Sequence, residues 1–171
     1  MCKAKKSMTK KEIFKKINTY TDEIGIRVHH TDETRPWGGF FVIEEGDADK
    51  FIGHFFPEID KSDLIEGAKL SPKILLVEPG KKLSWQYHHR RAEIWKLVEG
   101  RAAVATSDTD VEKQTTVLSV GDIVKLKQGE RHRLIGMEEE WGVVAEIWMH
   151  TDHANPSDED DIVRVQDDFG R

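Results

Sequence analysis

From residue 35 onward, apolar residues recur in short runs with a period of two, and turns rich in glycine, proline and aspartate separate these runs. The clearest runs are GGFFVIEE, KILLVEPG, EIWKLVEG, RAAVATSD, DIVKLKQ and WGVVAEIWMH. Many short strands at this spacing are typical of a β-sandwich or barrel. With 171 residues, 37% of them apolar, the chain can bury one core. The pattern therefore predicts a single all-β domain over residues 35–171.

The segment before this pattern, residues 1–34, has a helical period instead. After a lysine-rich tail, Thr9 and Glu12 stand three positions apart, as in a capping box. An apolar stripe then follows at helical spacing, formed by Ile13, Phe14, Ile17, Tyr20 and Ile24. We expect a tail and one amphipathic helix packed on the barrel.

Residues 46–72 interrupt the strand pattern with an irregular stretch rich in phenylalanine and aspartate. Its apolar content, including Phe51, Phe55 and Phe56, can order part of the segment. A connection this long is unusual in a compact barrel. We expect an excursion of the barrel that passes over one of its mouths.

The charge of the chain limits its partners. A formal net charge of −6 argues against nucleic acid or an anionic membrane as the main partner, although a small anion such as a sugar phosphate stays possible. The single cysteine, Cys2, excludes an internal disulfide, and no apolar run follows the basic N-terminal residues. These features predict a cytoplasmic protein without a signal peptide or membrane span.

Two adjacent histidines occupy positions 88 and 89, and alternation along a strand sends them to opposite faces. Gln86 and His88 are two apart, so they share a face. After a tight turn, Glu93 opens the next antiparallel strand and can return to the same place, and His132 offers one more imidazole from a later strand. We therefore predict a divalent metal site formed by Gln86, His88, Glu93 and His132, with His89 facing away.

The donor set itself constrains the ion. Two imidazoles with a carboxylate and an amide oxygen suit Zn²⁺, our first choice, and also Mn²⁺, Co²⁺, Ni²⁺ or Fe²⁺. One carboxylate against a dication leaves the site with a charge of about +1, which favours stabilising an enediolate. A closed structural zinc site is the alternative, but such sites usually carry cysteines.

The spacing of these residues and of the glycines around them resembles the paired motifs of the cupin superfamily. Gln86 stands where the first motif usually has histidine, and Lys127 and Gly136 replace the proline and asparagine usual in the second motif. The resemblance implies a double-stranded β-helix, or jelly-roll barrel, that holds one divalent metal ion.

The match extends to the cupin domain of type II mannose-6-phosphate isomerases. Five blocks occur in that family's order: RPWG at 35–38, PGKKLSWQYHHRRAEIW at 79–95, GERHRL at 129–134, AEIW at 145–148 and EDDIVRVQDDFGR at 159–171. The resemblance implies a metal-dependent isomerase that interconverts mannose 6-phosphate and fructose 6-phosphate through an enediol. The chain departs from the family pattern at Arg90, Ile94, Trp148 and Phe169, which leaves the choice of sugar open.

Isomerisation through an enediol needs a base near carbon. Glu146 lies in the apolar run VVAEIWM, where desolvation would raise its pKa toward neutrality, and the family also has glutamate there. The alternative for Glu146 is a strand carboxylate paired with a cation. Weaker candidates for the base are His89, Lys96 and Lys125.

A substrate phosphate would favour a guanidinium, because its fork meets two phosphate oxygens at once. Arg164 resembles an arginine on which the family relies. Behind it stand Arg35, Arg91 and Arg171, and we expect the last two to form ordinary surface salt bridges.

Other functions stay open on the sequence. One is an isomerase of a different or an unphosphorylated sugar, such as lyxose or mannose. Another is a non-enzymatic cupin that binds a metal or a sugar, and a third is an oxygenase, which the glutamine disfavours. We expect a small-molecule sugar or sugar phosphate as the partner and, by analogy with cupins, a homodimer. Trp37, Trp85, Trp95 and Trp148 could stack on a sugar, but in a barrel such residues more often belong to the core. We expect surface or loop positions, without a role, for His29, His30, His54, His150 and His153.

Overall fold

The computed structural model describes residues 7–64 and 68–171, which are mostly β-sheet. Eleven strands occur among them: β1 (Val28–Asp32), β2 (Gly38–Ile43), β3 (Lys73–Val77), β4 (Trp85–Tyr87), β5 (Arg91–Gly100), β6 (Ala102–Ser107), β7 (Gln114–Leu118), β8 (Ile123–Leu126), β9 (Arg131–Gly136), β10 (Gly142–His150) and β11 (Val163–Gln166). Two α-helices, α1 (Lys10–Glu23) and α2 (Ala48–Phe55), precede β3. Most of the predicted tail, with Cys2, and residues 65–67 of the predicted excursion lie outside the described residues.

The strands form two antiparallel sheets with a nested pairing scheme. β3 pairs with β10, β4 with β9, β5 with β8 and β6 with β7, so the chain runs as one long hairpin whose successive pairs alternate between the sheets. Pairing of β10 with β5 and of β9 with β6 completes the sheets. β1 and β2 extend the first sheet, and β11 extends the second. This arrangement is a jelly roll, which confirms the predicted all-β fold.

A glycine at the turn between β5 and β6 permits close packing of the first sheet. Gly100 has a φ of +76°, and a Cβ atom there would lie 1.8 Å from the carbonyl oxygen of Trp141, just before β10. A side chain would therefore strain the backbone and collide with its neighbour. The turn holds β5, which carries Glu93, tightly against β10.

Helix α1 begins with the predicted capping box. Thr9 Oγ1 accepts a hydrogen bond from the Glu12 amide, and the Glu12 carboxylate accepts one from the Thr9 amide (2.8 Å). The apolar stripe of the helix, led by Ile13, Phe14 and Ile17, is buried against the outer face of the six-stranded sheet. The sequence pattern of α1 thus produces both its start and its packing face.

The excursion contains helix α2, whose phenylalanines join α1 in the outer apolar cluster. Phe51 and Phe55 of α2, and Phe56 just after it, are all buried in the cluster that also contains Ile147 of β10. The expected position over a barrel mouth is wrong, because the apolar face of α2 needs an apolar partner. The outer face of the sheet supplies one, whereas the mouth is lined by charged side chains.

A second apolar cluster fills the space between the two sheets. Trp95, Leu97, Leu134 and Val144 are among its fully buried members. It forms one wall of a polar cavity inside the barrel, described below. No helix in residues 7–64 and 68–171 has the length and apolar character needed to cross a membrane.

Candidate metal centre and substrate cavity

Three buried side chains meet inside the barrel, from the end of β4, from β5 and from β9. His88 Nε2 lies 3.2 Å from Glu93 Oε1, and His132 Nε2 lies 3.3 Å from Glu93 Oε2. Each residue is at most 2% exposed. One donor atom from each lies within 4.8 Å of the others, so the three residues are close enough together to bind one ion.

Strand geometry brings these side chains together. Arg91 and Glu93 are two apart on β5, so both point into the barrel. Gln86 on β4 is the register partner of His132 on β9, which puts the two side chains on one face. The Gln86 amide oxygen accepts a hydrogen bond from Ser84 Oγ (2.6 Å). A role for Gln86 as a fourth ligand stays a prediction.

Both imidazoles are oriented by backbone carbonyls. His88 Nδ1 lies 2.7 Å from the carbonyl oxygen of Asp161, and His132 Nδ1 lies 2.9 Å from that of Glu130. A carbonyl only accepts hydrogen bonds, so each ring carries a proton on Nδ1. In the neutral ring, the Nε2 lone pair then faces Glu93, which is the orientation that a metal-ligating histidine needs.

Two atoms of this cluster have no hydrogen-bond partner among the described residues, namely Glu93 Oε2 and His132 Nε2. Leaving such buried atoms unpaired is costly, and a cation between them would satisfy both. Burial alone would raise the pKa of Glu93, but His88 and His132, with Arg91, hold that pKa well below its usual range. Glu93 is therefore a carboxylate, and these residues could hold a metal ion.

Arg91, which the sequence analysis named only as a weaker phosphate candidate, belongs to the buried donor cluster. Its Nε donates to Glu93 Oε1 (2.7 Å), its Nη2 lies 3.2 Å from His88 Nε2, and its guanidinium stacks 3.6 Å from the ring centroid of Trp148. It is buried, so the expected surface salt bridge is wrong. The signal was present in the sequence, since Arg91 shares the strand parity of Glu93.

A cavity of about 330 Å³ extends from Glu93 to the surface. At one end, called the buried end, lining residues such as Glu93 and Glu146 are buried. At the other end, called the mouth, lining residues such as Arg164 and Arg171 are exposed. Charged and amide side chains dominate the lining: Arg35, Lys73, Gln86, Arg91, Glu93, Glu146, Glu159, Asp160, Arg164 and Arg171.

Glu146 lies in the buried end of this cavity. It is 4% exposed, and Trp95 Nε1 donates a hydrogen bond to its Oε1 (3.3 Å). Burial, together with the negative charge of Glu93, raises the pKa of Glu146 to about 7. A carboxyl group with this pKa can take up and release a proton near neutral pH.

Lys73 was missed by the sequence reasoning. It is the register partner of Glu146 across β3 and β10, and it is buried. Its Nζ lies 4.1 Å from the ring centroid of Trp148 and forms an ion pair with Glu159 at the mouth. The sequence contained a signal for this residue, because Lys73 is the only charged residue in the otherwise apolar strand KILLV.

Three arginines line the mouth. Arg35 is paired with Asp32 (2.9 Å) and Arg171 with Asp167 (2.8 Å), as expected for Arg171. The Arg164 side chain forms no ion pair or hydrogen bond in the part of the chain that the structure describes. Partial burial, with the positive charge of Arg171, lowers the pKa of Arg164. An anion at this place would relieve the repulsion between the guanidinium groups.

The remaining sequence candidates lie away from the cavity. His89 and Lys125 are exposed, and Lys96 is paired with Glu58. Ile94, one of the departures from the family pattern, belongs to the outer apolar cluster and does not line the cavity. His150 is buried, so its expected surface position is wrong. The four tryptophans expected in the core are all buried: Trp37, Trp85, Trp95 and Trp148.

The nested jelly roll with this inward donor set has the architecture of a cupin. A family model described as "Mannose-6-phosphate isomerase C-terminal" matches residues 55–167, well over half of the chain. The chain belongs to this family.

Named relatives agree with this assignment. The chain is 30% identical over 142 residues to a mannose-1-phosphate guanylyltransferase of Escherichia coli (strain K12), covering 83% of this chain and 23% of that protein. It is 28% identical over 146 residues to the alginate biosynthesis protein AlgA of Pseudomonas aeruginosa, covering 84% and 24%. The chain therefore spans about a quarter of the length of these relatives.

Among solved structures, a cupin-2 domain from Rhodospirillum rubrum, Rru_A2000, is similar with a TM-score of 0.48 and 13% identity. The match covers 80% of this chain and 78% of that one.

Proposed function

We propose that this protein is a metal-dependent aldose–ketose isomerase that converts mannose 6-phosphate to fructose 6-phosphate. The proposal is based mainly on one observation. A single cavity has a buried donor cluster and a carboxyl group with a pKa of about 7 at one end, and an arginine without a carboxylate partner among the described residues at its mouth. Family membership supports the same reaction.

The metal would be held by His88, Glu93 and His132, with Gln86 as the fourth ligand. A bound dication would supply Lewis acidity toward the carbonyl and hydroxyl oxygens of the sugar. We propose zinc, since two imidazoles and a carboxylate are frequent ligands of catalytic zinc. A closed structural site is disfavoured, because the donor cluster contains no cysteine and adjoins a cavity.

Glu146 would be the base. Its carboxylate form takes the proton from C2 of the open-chain aldose, which leaves an enediolate that becomes the enediol when its C1 oxygen is protonated, and its acid form returns the proton to C1 to give the ketose. The carbonyl oxygen on C1 gains a proton while the hydroxyl on C2 loses one, so the overall reaction conserves atoms and electrons. Burial suits Glu146 to this role, because desolvation brings its pKa to about 7.

Two buried cations would assist at this end of the cavity. Arg91 is hydrogen-bonded to Glu93 and lines the cavity, so its guanidinium can stabilise negative charge that develops on the sugar oxygens. Lys73 lies across the sheet register from Glu146 and carries an ammonium group into the same space. Both residues are held against Trp148 by cation–π contacts.

Arg164 would bind the phosphate, with Arg35 and Arg171 beside it. A sugar phosphate of six carbons is longer than the reacting C1–C2 unit, so its phosphate must be recognised away from the metal. The mouth meets that need, because its guanidinium groups lie at the exposed end of the cavity.

The direct test uses purified, zinc-loaded protein with mannose 6-phosphate in D₂O, followed by proton NMR. We expect fructose 6-phosphate with deuterium on C1 if the enediol exchanges with solvent. Turnover of free mannose or lyxose without turnover of the phosphate ester would instead support an isomerase of an unphosphorylated sugar. Metal binding without turnover of any sugar would support a binding protein. A His89→Ala variant is the matched control, because that exposed histidine should leave the reaction unchanged.

A further inference from the structure

Residues 157–161, here called the C-terminal strap, lie against the turn that joins β4 to β5. Asp161 contacts this turn through both its backbone and its side chain. Its carbonyl oxygen accepts from His88 Nδ1 (2.7 Å), and its carboxylate accepts from the amides of His89 (3.1 Å) and Arg90 (2.9 Å). Asp161 is buried. One residue thus holds the turn that carries His88 and also orients the His88 ring.

Ser157, at the other end of the strap, links Asp161 to Arg91. Its hydroxyl donates to Asp161 Oδ2 (2.6 Å) and accepts from Arg91 Nη1 (2.8 Å). Its amide donates to His150 Nδ1 (2.9 Å), which ties the strap to the end of β10. The carbonyl of Asp158 accepts a second hydrogen bond from Arg91 Nη1 (3.0 Å). Apart from the Ser157–Asp161 hydrogen bond within the strap, these contacts are made to β10 or to the turn and first residue of β5.

The strap is held by these polar contacts and not by burial of apolar surface. None of its residues belongs to either apolar cluster of the described chain. The contacts of Ser157 and Asp161 converge instead on His88 and Arg91, the two side chains that approach Glu93 Oε1. A segment that served only to anchor the chain end would not need to meet those two groups.

We propose that Asp161 and Ser157 are positioning residues of the metal centre. Asp161 would hold His88 as the Nδ1–H tautomer, with Nε2 directed to the ion, and Ser157 would hold Arg91 against Glu93. The inference rests on the proposed metal site, although the tautomer of His88 can be measured without any metal.

The test compares Asp161→Asn with wild type. Asparagine has the same shape but replaces one acceptor oxygen by an NH₂ group, so one of the two turn amides loses its partner in either orientation. Asp22→Asn is the matched control, because this aspartate is exposed, lies on α1 away from the cavity, and its carboxylate has no hydrogen bond among the described residues. Circular dichroism and thermal unfolding establish that each variant folds.

The first measurement is imidazole ¹⁵N NMR of the metal-free proteins, with the His88 signals assigned through His88→Ala. We expect one Nδ1–H tautomer in wild type and in Asp22→Asn. In Asp161→Asn the backbone carbonyl remains, but the turn that carries His88 loses a hydrogen bond to the side chain and moves away from that carbonyl, so we expect a mixture of tautomers. The second measurement is calorimetric titration with Zn²⁺. We expect dissociation constants about 10- to 100-fold larger for Asp161→Asn and unchanged for the control.

A wild-type tautomer and wild-type zinc affinity in Asp161→Asn would overturn the proposal, even if the protein isomerises sugars. The reverse result, an altered tautomer and weak zinc binding in a protein that turns over no sugar, would uphold the positioning role and reject the proposed reaction. If Asp161→Asn does not fold, Ser157→Ala takes its place. There we expect the zinc dissociation constant to rise about tenfold, because the Asp161 carboxylate loses a donor and Arg91 loses an acceptor, and we expect Ser157→Thr to restore the affinity. Unchanged zinc affinity in Ser157→Ala would then overturn the proposal.

Discussion

The two ends of the cavity differ in how their side chains are held. At the buried end, His88 and His132 are fixed by backbone carbonyls, and both approach the same carboxylate, Glu93. At the mouth, Arg164 is exposed and unpaired within the described chain, and it lies on a short strand near the C-terminus. Under the proposed function, the buried end would perform the chemistry, whereas the mouth would recognise the phosphate of the substrate.

Burial explains why the two ends should respond differently to substitution. Charges act more strongly on one another where water is excluded, so a lost group at the buried end leaves an uncompensated neighbour. An exposed guanidinium at the mouth is screened by solvent, and its loss affects mainly the ligand that it would bind. Substitutions can therefore test whether chemistry and recognition are separate.

The largest effect is expected at the metal ligands. Glu93→Ala removes the carboxylate that lies between the two imidazoles, and His88→Ala removes one of those imidazoles. We expect both variants to lose bound zinc and all measurable isomerisation, as followed by metal analysis and a coupled fructose 6-phosphate assay. Full activity in either variant after treatment with a chelator would show that the buried end is not the reactive one.

The next largest effect is expected for Glu146→Gln. The amide keeps the shape and an acceptor for Trp95 Nε1, but it cannot act as a base. We expect zinc affinity to stay near wild type and kcat to fall by about 10² to 10⁴. Stopped assays at saturating mannose 6-phosphate measure this change. A kcat within a factor of two of wild type would remove Glu146 from the mechanism.

The mouth is tested by Arg164→Ala. Hydrogen bonds to a charged group contribute about 1.5–3 kcal/mol, so we expect KM for mannose 6-phosphate to rise by about 10- to 100-fold with little change in kcat. Arg101→Ala, at an exposed arginine that does not line the cavity, is the control. An equal fall in kcat and in kcat/KM for Arg164→Ala would mean that the two ends do not act separately.

Glu146 should also limit the stability of the metal-free protein at high pH. Its pKa is 4.5 when unperturbed and about 7 when folded, so the unfolded chain releases the proton first as the pH rises. Between those two values the folded state therefore loses stability, by up to about 3 kcal/mol. Urea unfolding in a chelator should show Glu146→Gln more stable than wild type at pH 8 and similar to it near pH 4.5. Equal stability at both pH values would contradict the burial effect.

The smallest effect is expected at His89, the neighbour of the metal ligand His88. His89 is exposed, and its ring is in contact with Tyr87 at the surface. We expect His89→Ala to keep its zinc and to change kcat/KM by less than about twofold, as typical of surface substitutions. Loss of zinc equal to that in His88→Ala would show that the strand register is shifted by one residue.

Much of the fold could be predicted because alternation is a local property of the sequence. The period of two predicted the strands, and the spacing of Thr9 and Glu12 predicted the start of α1. Because adjacent strand residues point to opposite faces, the sequence also distinguished the buried imidazole of His88 from the exposed one of His89. The same alternation would also have identified Arg91, which the charge-based interpretation assigned to the surface.

Other parts of the site depend on contacts between distant segments. Lys73 meets Glu146 through the pairing of β3 with β10, and Asp161 meets His88 across 73 positions of sequence. Neither pairing follows from local spacing. The packing of α2 on the outer face of the sheet is of the same kind, because it depends on which apolar surface the other strands leave uncovered.

The most direct measurement of the metal centre is a zinc-edge anomalous difference map from crystals of the zinc-loaded protein. We predict one strong peak inside the barrel, about 2.0–2.2 Å from His88 Nε2, His132 Nε2 and a carboxylate oxygen of Glu93. A peak at another place, or none at these three residues in protein that isomerises mannose 6-phosphate, would contradict the account.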